Sequence, residues 1–246
     1  MNLALRHFHQ LFALLVFCAV ALPASAQAPV GDKEYKLISP AQPVQGKGVE
    51  VIEFFSYACS HCAEFESPLR GWLKTQPQDV SFKAVPLIFR ESWAPLARLY
   101  YTLEAMGLAE KLHSKVFHAI HAESKDLGDA DKIAKWVATQ GVDAEKFTQT
   151  FNSFGIDAKV ERSKKMGRSY GVMFTPTMAI QGKYVTGPSM AVGPNNQPSL
   201  QRFFQVVDAL IARERGKNSQ APVAPGDAPK QRSAAKASKP APKLGA

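Results

Sequence analysis

One stretch constrains the chain more than any other: Val51-Ile52-Glu53-Phe54-Phe55-Ser56-Tyr57-Ala58-Cys59-Ser60-His61-Cys62. An apolar, β-favouring run from Val51 to Tyr57 enters a Cys-x-x-Cys directly, and Ala63 to Lys74 reads as a helix. The cysteines therefore belong at a strand-to-helix junction. There the first amides of the helix have no intrahelical partner and the helix dipole places partial positive charge beside Cys59. That setting favours a thiolate. Residues three apart on a helical turn are neighbours, so Cys59 and Cys62 can close and reopen a small disulfide ring. A loop this short is a poor staple for a fold, which makes the pair a chemical device. The alternatives are a structural clip or half a zinc site, and the usual zinc site needs a second ligand pair that the sequence lacks.

The surrounding sequence says where such a device would work. Arg6, an apolar run from Leu11 to Leu22 and the small-x-small Ala24-Ser25-Ala26 have the pattern of a secretory signal peptide, expected over residues 1–26. Cys18 would leave with it, so the exported chain would hold only Cys59 and Cys62, in an oxidising compartment. From Gly216 to the end at 246 the chain is Ala, Pro, Lys and Ser with almost no large apolar residue, and a disordered tail is expected there. The folded part is then 27–215. Of the net charge of +9, the tail's six basic residues against Asp227 account for +5 and Arg6 for one more, leaving +3. That excludes a nucleic-acid groove as the reading of the charge.

Taken in order, Glu34 to Ser39 is a short candidate strand, followed by a Pro/Gly-rich link and the strong strand Val49 to Tyr57. Pro68 lies inside the helix after the cysteines and predicts a kink or break. Val80 to Val85 alternates as a strand. The period is then helical: Ala94 to Met106, Leu108 to Ala122, Asp129 to Thr139, Asp143 to Phe154 and Ile156 to Tyr170. These segments are separated by Gly107, Gly128, Gly141 and Gly155, with Asp129 and Asp143 where N-caps belong. Pro176 to Gln181 and Lys183 to Thr186 form a hairpin around Gln181-Gly182, and Ser199 to Arg215 is an amphipathic helix. This order predicts an α/β chain, a thioredoxin-like fold with an inserted helical domain at about 88–170.

The FFSYACSHC junction, the helical insertion after the third strand and the Gly171-Val-Met-Phe-Thr-Pro-Thr segment together resemble the DsbA family of periplasmic thiol:disulfide oxidases, over about residues 34–215. The resemblance implies that Cys59 is the exposed nucleophile and Cys62 its buried partner in a redox-active disulfide, with His61 between them favouring the Cys59 thiolate. Ser60 stands where the family commonly has proline, a position that tunes the couple. It implies that Thr175-Pro176 is a cis-proline loop facing the disulfide and pairing with substrate backbone; read from the residues alone, Pro176 could equally start an edge strand in trans. It also implies that Glu53 lies beneath the disulfide and assists proton transfer with Lys83 as its partner, whereas the residues alone also allow an outward-pointing glutamate at a sheet edge.

The activity implied is that of a periplasmic oxidase donating the Cys59–Cys62 disulfide to newly exported, cysteine-containing proteins through a mixed disulfide on Cys59. Reoxidation would fall to a membrane quinone-linked protein of the DsbB type. A monomer without metal or organic cofactor is expected. The alternatives are an isomerase or reductase on the same fold, or a periplasmic metal-binding carrier. His113, His118 and His121 share one predicted helix and are expected on a polar flank of the insertion, with adventitious metal as the other reading.

Overall fold

The computed structural model describes residues 28–220, with side chains to 217. The expected signal peptide and residues 221–246 of the expected tail lie outside the described residues. Around a central strand, β2 (Val49–Phe55), the sheet runs in the order β1-β5-β4-β2-β3. β2 pairs in parallel with β3 (Val80–Pro86) and antiparallel with β4 (Thr177–Ile180). β5 (Tyr184–Thr186) and the two-residue β1 (Lys36–Leu37) complete one edge. The expected strand over 34–39 is thus shorter at both ends. The β4–β5 loop has Gln181 and Gly182 at positive φ, and a Cβ on Gly182 would lie 2.2 Å from the Gln42 carbonyl oxygen.

Every residue of β2 is buried, so both faces of the sheet are covered. Strand periodicity sends Val49, Val51, Glu53 and Phe55 to one face and Glu50, Ile52 and Phe54 to the other. On the first face Val49 and Val51 join a cluster with Phe65, Leu69 and Trp72 of α1 (Ser60–Leu73) and Phe203, Val207 and Leu210 of α7 (Leu200–Gln220). On the second, Ile52 and Phe54 pack with Val85, Leu87, Tyr170 and Val172. The helical assignment of α1 continues through Pro68, so the predicted break does not occur.

The insertion comprises α2 (Ala94–Ala105), α3 (Ala109–His121), α4 (Ala130–Thr139), α5 (Ala144–Phe151) and α6 (Phe154–Ser169). Asp129 and Asp143 cap α4 and α5, each accepting at 2.9 Å from the amide three residues on. Gly107 and Gly141 take the left-handed conformation that ends a helix, whereas Gly155 lies inside α6 and is no boundary. Phe55, Tyr57 and Cys62 share one apolar cluster with Leu99, Leu103, Val116, Phe117 and Ile133, so the insertion packs directly on the end of β2 and the start of α1. α7 runs five residues beyond the expected end of the folded part at 215. Its reason is local: Glu214 is buried and accepts from the ammonium groups of Lys183 and Lys217 and from the Tyr184 hydroxyl.

Candidate active site

β2 delivers the chain to a tight turn that is tied twice. The Cys59 amide donates to the Ser56 carbonyl (3.0 Å), and the Ala58 amide donates to the Ser56 hydroxyl (3.2 Å). Cys59 is the N-cap of α1, with extended backbone, and no side chain caps the helix. Its sulfur therefore sits at the positive end of the helix, partly exposed, while Cys62 one turn further is fully buried (0 %). Both are free thiols here.

The surroundings drive the two sulfurs apart. The Cys59 thiol is lowered to about 5, chiefly by the hydrogen bond from Cys62, then by the Thr175 side chain and the amides of Cys62 and His61, all against partial burial. Burial pushes the Cys62 thiol far up, and the facing Cys59 sulfur adds to it. Thr175 reaches this place from the other end of the chain. Its carbonyl oxygen lies 3.4 Å from Cys59 Sγ, and the Thr175–Pro176 bond is cis. Because β4 begins directly after Pro176, its antiparallel pairing with β2 is what sets the loop opposite the thiols.

Beneath the pair, Glu53 is buried (2 %) in the middle of β2, paired through its backbone register with Ala84 of β3 and Met178 of β4. It lines a cavity of about 440 Å³ between α1, β3, α2 and α3. Burial, and then the charge of Glu66, raise its carboxyl to about 8, so at neutral pH it carries a proton. One sulfur favours the anion, the other favours the proton, and a proton-bearing carboxyl lies nearby. That is the equipment for thiol–disulfide exchange.

Residues 50–205 match the family described as DSBA-like thioredoxin domain. The chain is 40 % identical over 209 residues to a thiol:disulfide interchange protein DsbA of Bordetella parapertussis, covering 85 % of this chain and 97 % of the relative. Its counterpart in Burkholderia cepacia is 38 % identical, over 79 % and 90 %. The crystal structure of Pseudomonas aeruginosa DsbA superposes with a TM-score of 0.72 at 37 % identity, over 78 % of this chain and 97 % of that one.

The chain belongs to the DsbA-like thioredoxin family. As a DsbA-like protein it is a thiol:disulfide oxidoreductase, with the thioredoxin-like sheet and the inserted helical domain of that family.

Of the residues expected in a DsbA-like site, the structure brings together Cys59, Cys62, Thr175 and Pro176, with Glu53 beneath. It does not place Lys83 as the partner of Glu53. Lys83 stands opposite Ile52 in the β2–β3 register and its ammonium pairs with Glu50. One residue of strand parity puts the Lys83 stem on the sheet face away from Glu53. Ser60 is exposed in the first turn of α1. The His61 side chain is 78 % exposed and its Nδ1 lies 3.2 Å from Glu64, so its closest polar contact is a carboxylate and not a sulfur.

His113 is also not on a polar flank. It is buried, with Nδ1 2.7 Å from the Tyr57 hydroxyl and Nε2 3.4 Å from Glu66. His121 Nε2 donates to the Tyr57 carbonyl (2.8 Å), and exposed His118 pairs with Glu123. Among the described residues no group of three or more His, Cys, Asp or Glu side chains is placed to hold a metal ion. Glu66 was not among the expected site residues. The sequence signal was present, because Glu66 lies four residues after Cys62 and four before Arg70, on the face of α1 that carries Cys62, Phe65 and Leu69.

Proposed function

We propose that this chain is an exported, periplasmic thiol:disulfide oxidase in which Cys59 and Cys62 form the transferable disulfide. The observation that carries this reading is the asymmetry of the two sulfurs: Cys59 is reachable and held as a thiolate, and Cys62 is buried and held as a thiol. In the disulfide form, a substrate thiolate attacks Cys59 Sγ and Cys62 leaves as a thiolate that takes up a proton. A second substrate thiolate then attacks the substrate sulfur of the mixed disulfide, and Cys59 departs as a stable thiolate. Two electrons pass to the protein and the substrate gains a disulfide. Whatever stabilises the Cys59 thiolate favours the dithiol product and makes the disulfide a stronger oxidant.

Substrates are newly exported proteins with unpaired cysteines. Met173 (83 % exposed) and Phe174 precede Thr175 and offer an apolar surface beside the sulfur for such unfolded chains. The Thr175 carbonyl would accept a hydrogen bond from substrate backbone once Cys59 is engaged. Reoxidation requires an external oxidant, supplied by a membrane quinone-linked partner of the DsbB type. No helix among the described residues is long and apolar enough to cross a membrane.

Trapping tests the assignment. Cys62→Ala should accumulate mixed disulfides through Cys59, and Cys59→Ala should abolish oxidation of a reduced substrate peptide. Mixed disulfides formed mainly through Cys62 would overturn the roles.

A further inference from the structure

The cavity beneath the thiols holds a second carboxylate, and nothing in the exchange reaction as described above uses it. Glu66 projects from α1 into the same cavity as Glu53 and is itself buried. It is held from three sides: Arg70 Nε donates to Oε1 at 2.9 Å, the Ser114 hydroxyl to Oε1 at 2.7 Å, and His113 Nε2 stands 3.4 Å from Oε2. His113 is in turn fixed by the Tyr57 hydroxyl, and Arg70 by both oxygens of Glu110. Among the described residues no such set of donors serves Glu53, and Lys83, which stands beside the register partner of Glu53, Ala84 on β3, is paired on the other face. Two carboxyl groups thus share one half-open cavity, with the donors distributed to only one of them.

We propose that Glu66 is a positioning residue of the redox centre: locked as an anion by Arg70, Ser114 and His113, it obliges Glu53 to keep the proton that Cys62 needs when its thiolate is released. This rests on the exchange reaction proposed above and names the device that serves it. Two like charges in one low-dielectric site disfavour each other, so anchoring one makes the other the proton carrier. When substrate attacks Cys59, the Sγ–Sγ bond breaks, its electron pair goes to Cys62, and the Glu53 O–H bond supplies the proton. Glu53 then regains a proton from solvent, because in the dithiol protein its carboxyl is raised to about 8.

The direction of the shifts agrees. Glu66 is lowered to about 2 by His113, Ser114 and Arg70 in spite of its burial, and its charge is the main electrostatic influence raising Glu53. The other groups facing the cavity are Tyr100 and Glu104 from α2, Glu110 from α3, and the exposed Lys74, while Lys83 lines it from β3 with its ammonium paired to Glu50; Cys59 also acts on Glu53. Of the charges that act on Glu53, Arg70 is the one that opposes its protonation.

The experiment reads Glu53 directly, by a pH titration of its carboxyl carbon in carbon-13 NMR on the dithiol protein. In the wild type the midpoint is expected at about 8. Glu66→Gln keeps the shape and an acceptor for Arg70 but removes the charge, and should lower the midpoint by about one pH unit. Arg70→Gln should move it upward, which keeps the test decisive if Glu66→Gln fails to fold. Lys83→Met should leave it unchanged. The pH profile for release of Cys62 on attack by a small thiolate should follow the Glu53 midpoint in each variant. An unmoved midpoint in a folded Glu66→Gln protein, or a midpoint governed by Lys83, overturns the proposal. Failure of disulfide transfer with the titration shifts intact would instead count against the oxidase reading alone.

Discussion

Four hydrogen-bond donors decide how Cys59 behaves: the Cys62 thiol, the Thr175 side chain and the amides of His61 and Cys62 at the head of α1. Its folded pKa of about 5 lies below the ordinary ~8.5 of a free thiol. The stabilisation of the dithiol form by this thiolate is therefore fully present above about pH 8.5 and is lost as pH falls through about 5. Oxidation removes the thiolate and its contribution. Thermal melts of both redox forms from pH 4 to 9 should show the dithiol form melting higher at neutral pH, with the gap closing toward acid. Glu53, raised rather than lowered, works in the opposite sense, losing its contribution as pH rises through about 8, and because the Cys59 thiolate is one of the charges raising it, both groups enter the difference between the forms. His61 acts on the sulfur chiefly through its amide, because its ring is turned to Glu64. His61→Leu keeps that amide and should leave the Cys59 pKa essentially unchanged, read from thiolate absorbance. The two cysteines were legible in the sequence because a strand-to-helix junction is a local pattern. Lys83 was misassigned because its pairing depends on which way a side chain leaves a strand, and a one-residue offset between β2 and β3 cannot be read from either strand alone. His113 was misplaced for a related reason: the partners that satisfy its buried imidazole come from Tyr57 and Glu66, far away in sequence.

Among the elements, the helices of the insertion were the most legible, since their caps and glycines are local signals. Asp143→Ala removes the hydrogen bond to the Lys146 amide and should cost about 1 kcal/mol in a denaturant melt, and Asp129→Ala should lower stability in the same direction. The end of α7 was the least legible. Residues after 215 have tail-like composition, yet Lys217 donates to Glu214 (2.8 Å) and lies 3.4 Å from the Tyr184 hydroxyl. Composition reports that a segment cannot build a core; it does not report that one of its lysines meets a buried carboxylate. Truncation after Arg215 should therefore lower stability by about 1 kcal/mol or less, whereas truncation after Gln220 should not. Equal melts for the two truncations would show that the Lys217 contact contributes nothing.

For the molecule as a whole, the order of elements gave the fold because each strand and helix occupies the sequence position that a thioredoxin-like sheet with an insertion requires, and the match over residues 50–205 agrees. The site itself is split along the chain. Its sulfurs and helix amides come from residues 59–63, whereas Thr175 lies 116 residues further on and arrives only when β4 pairs with β2. A chain emerging into its compartment from the N-terminus presents the two cysteines long before the strand that completes their surroundings. Until then Cys59 lacks its contact with Thr175, and only the local partners at the head of α1 act on its sulfur. The helical insertion between them therefore sets how far apart in the chain the two halves of the site are made, and the second half is the one that brings the cis-proline loop.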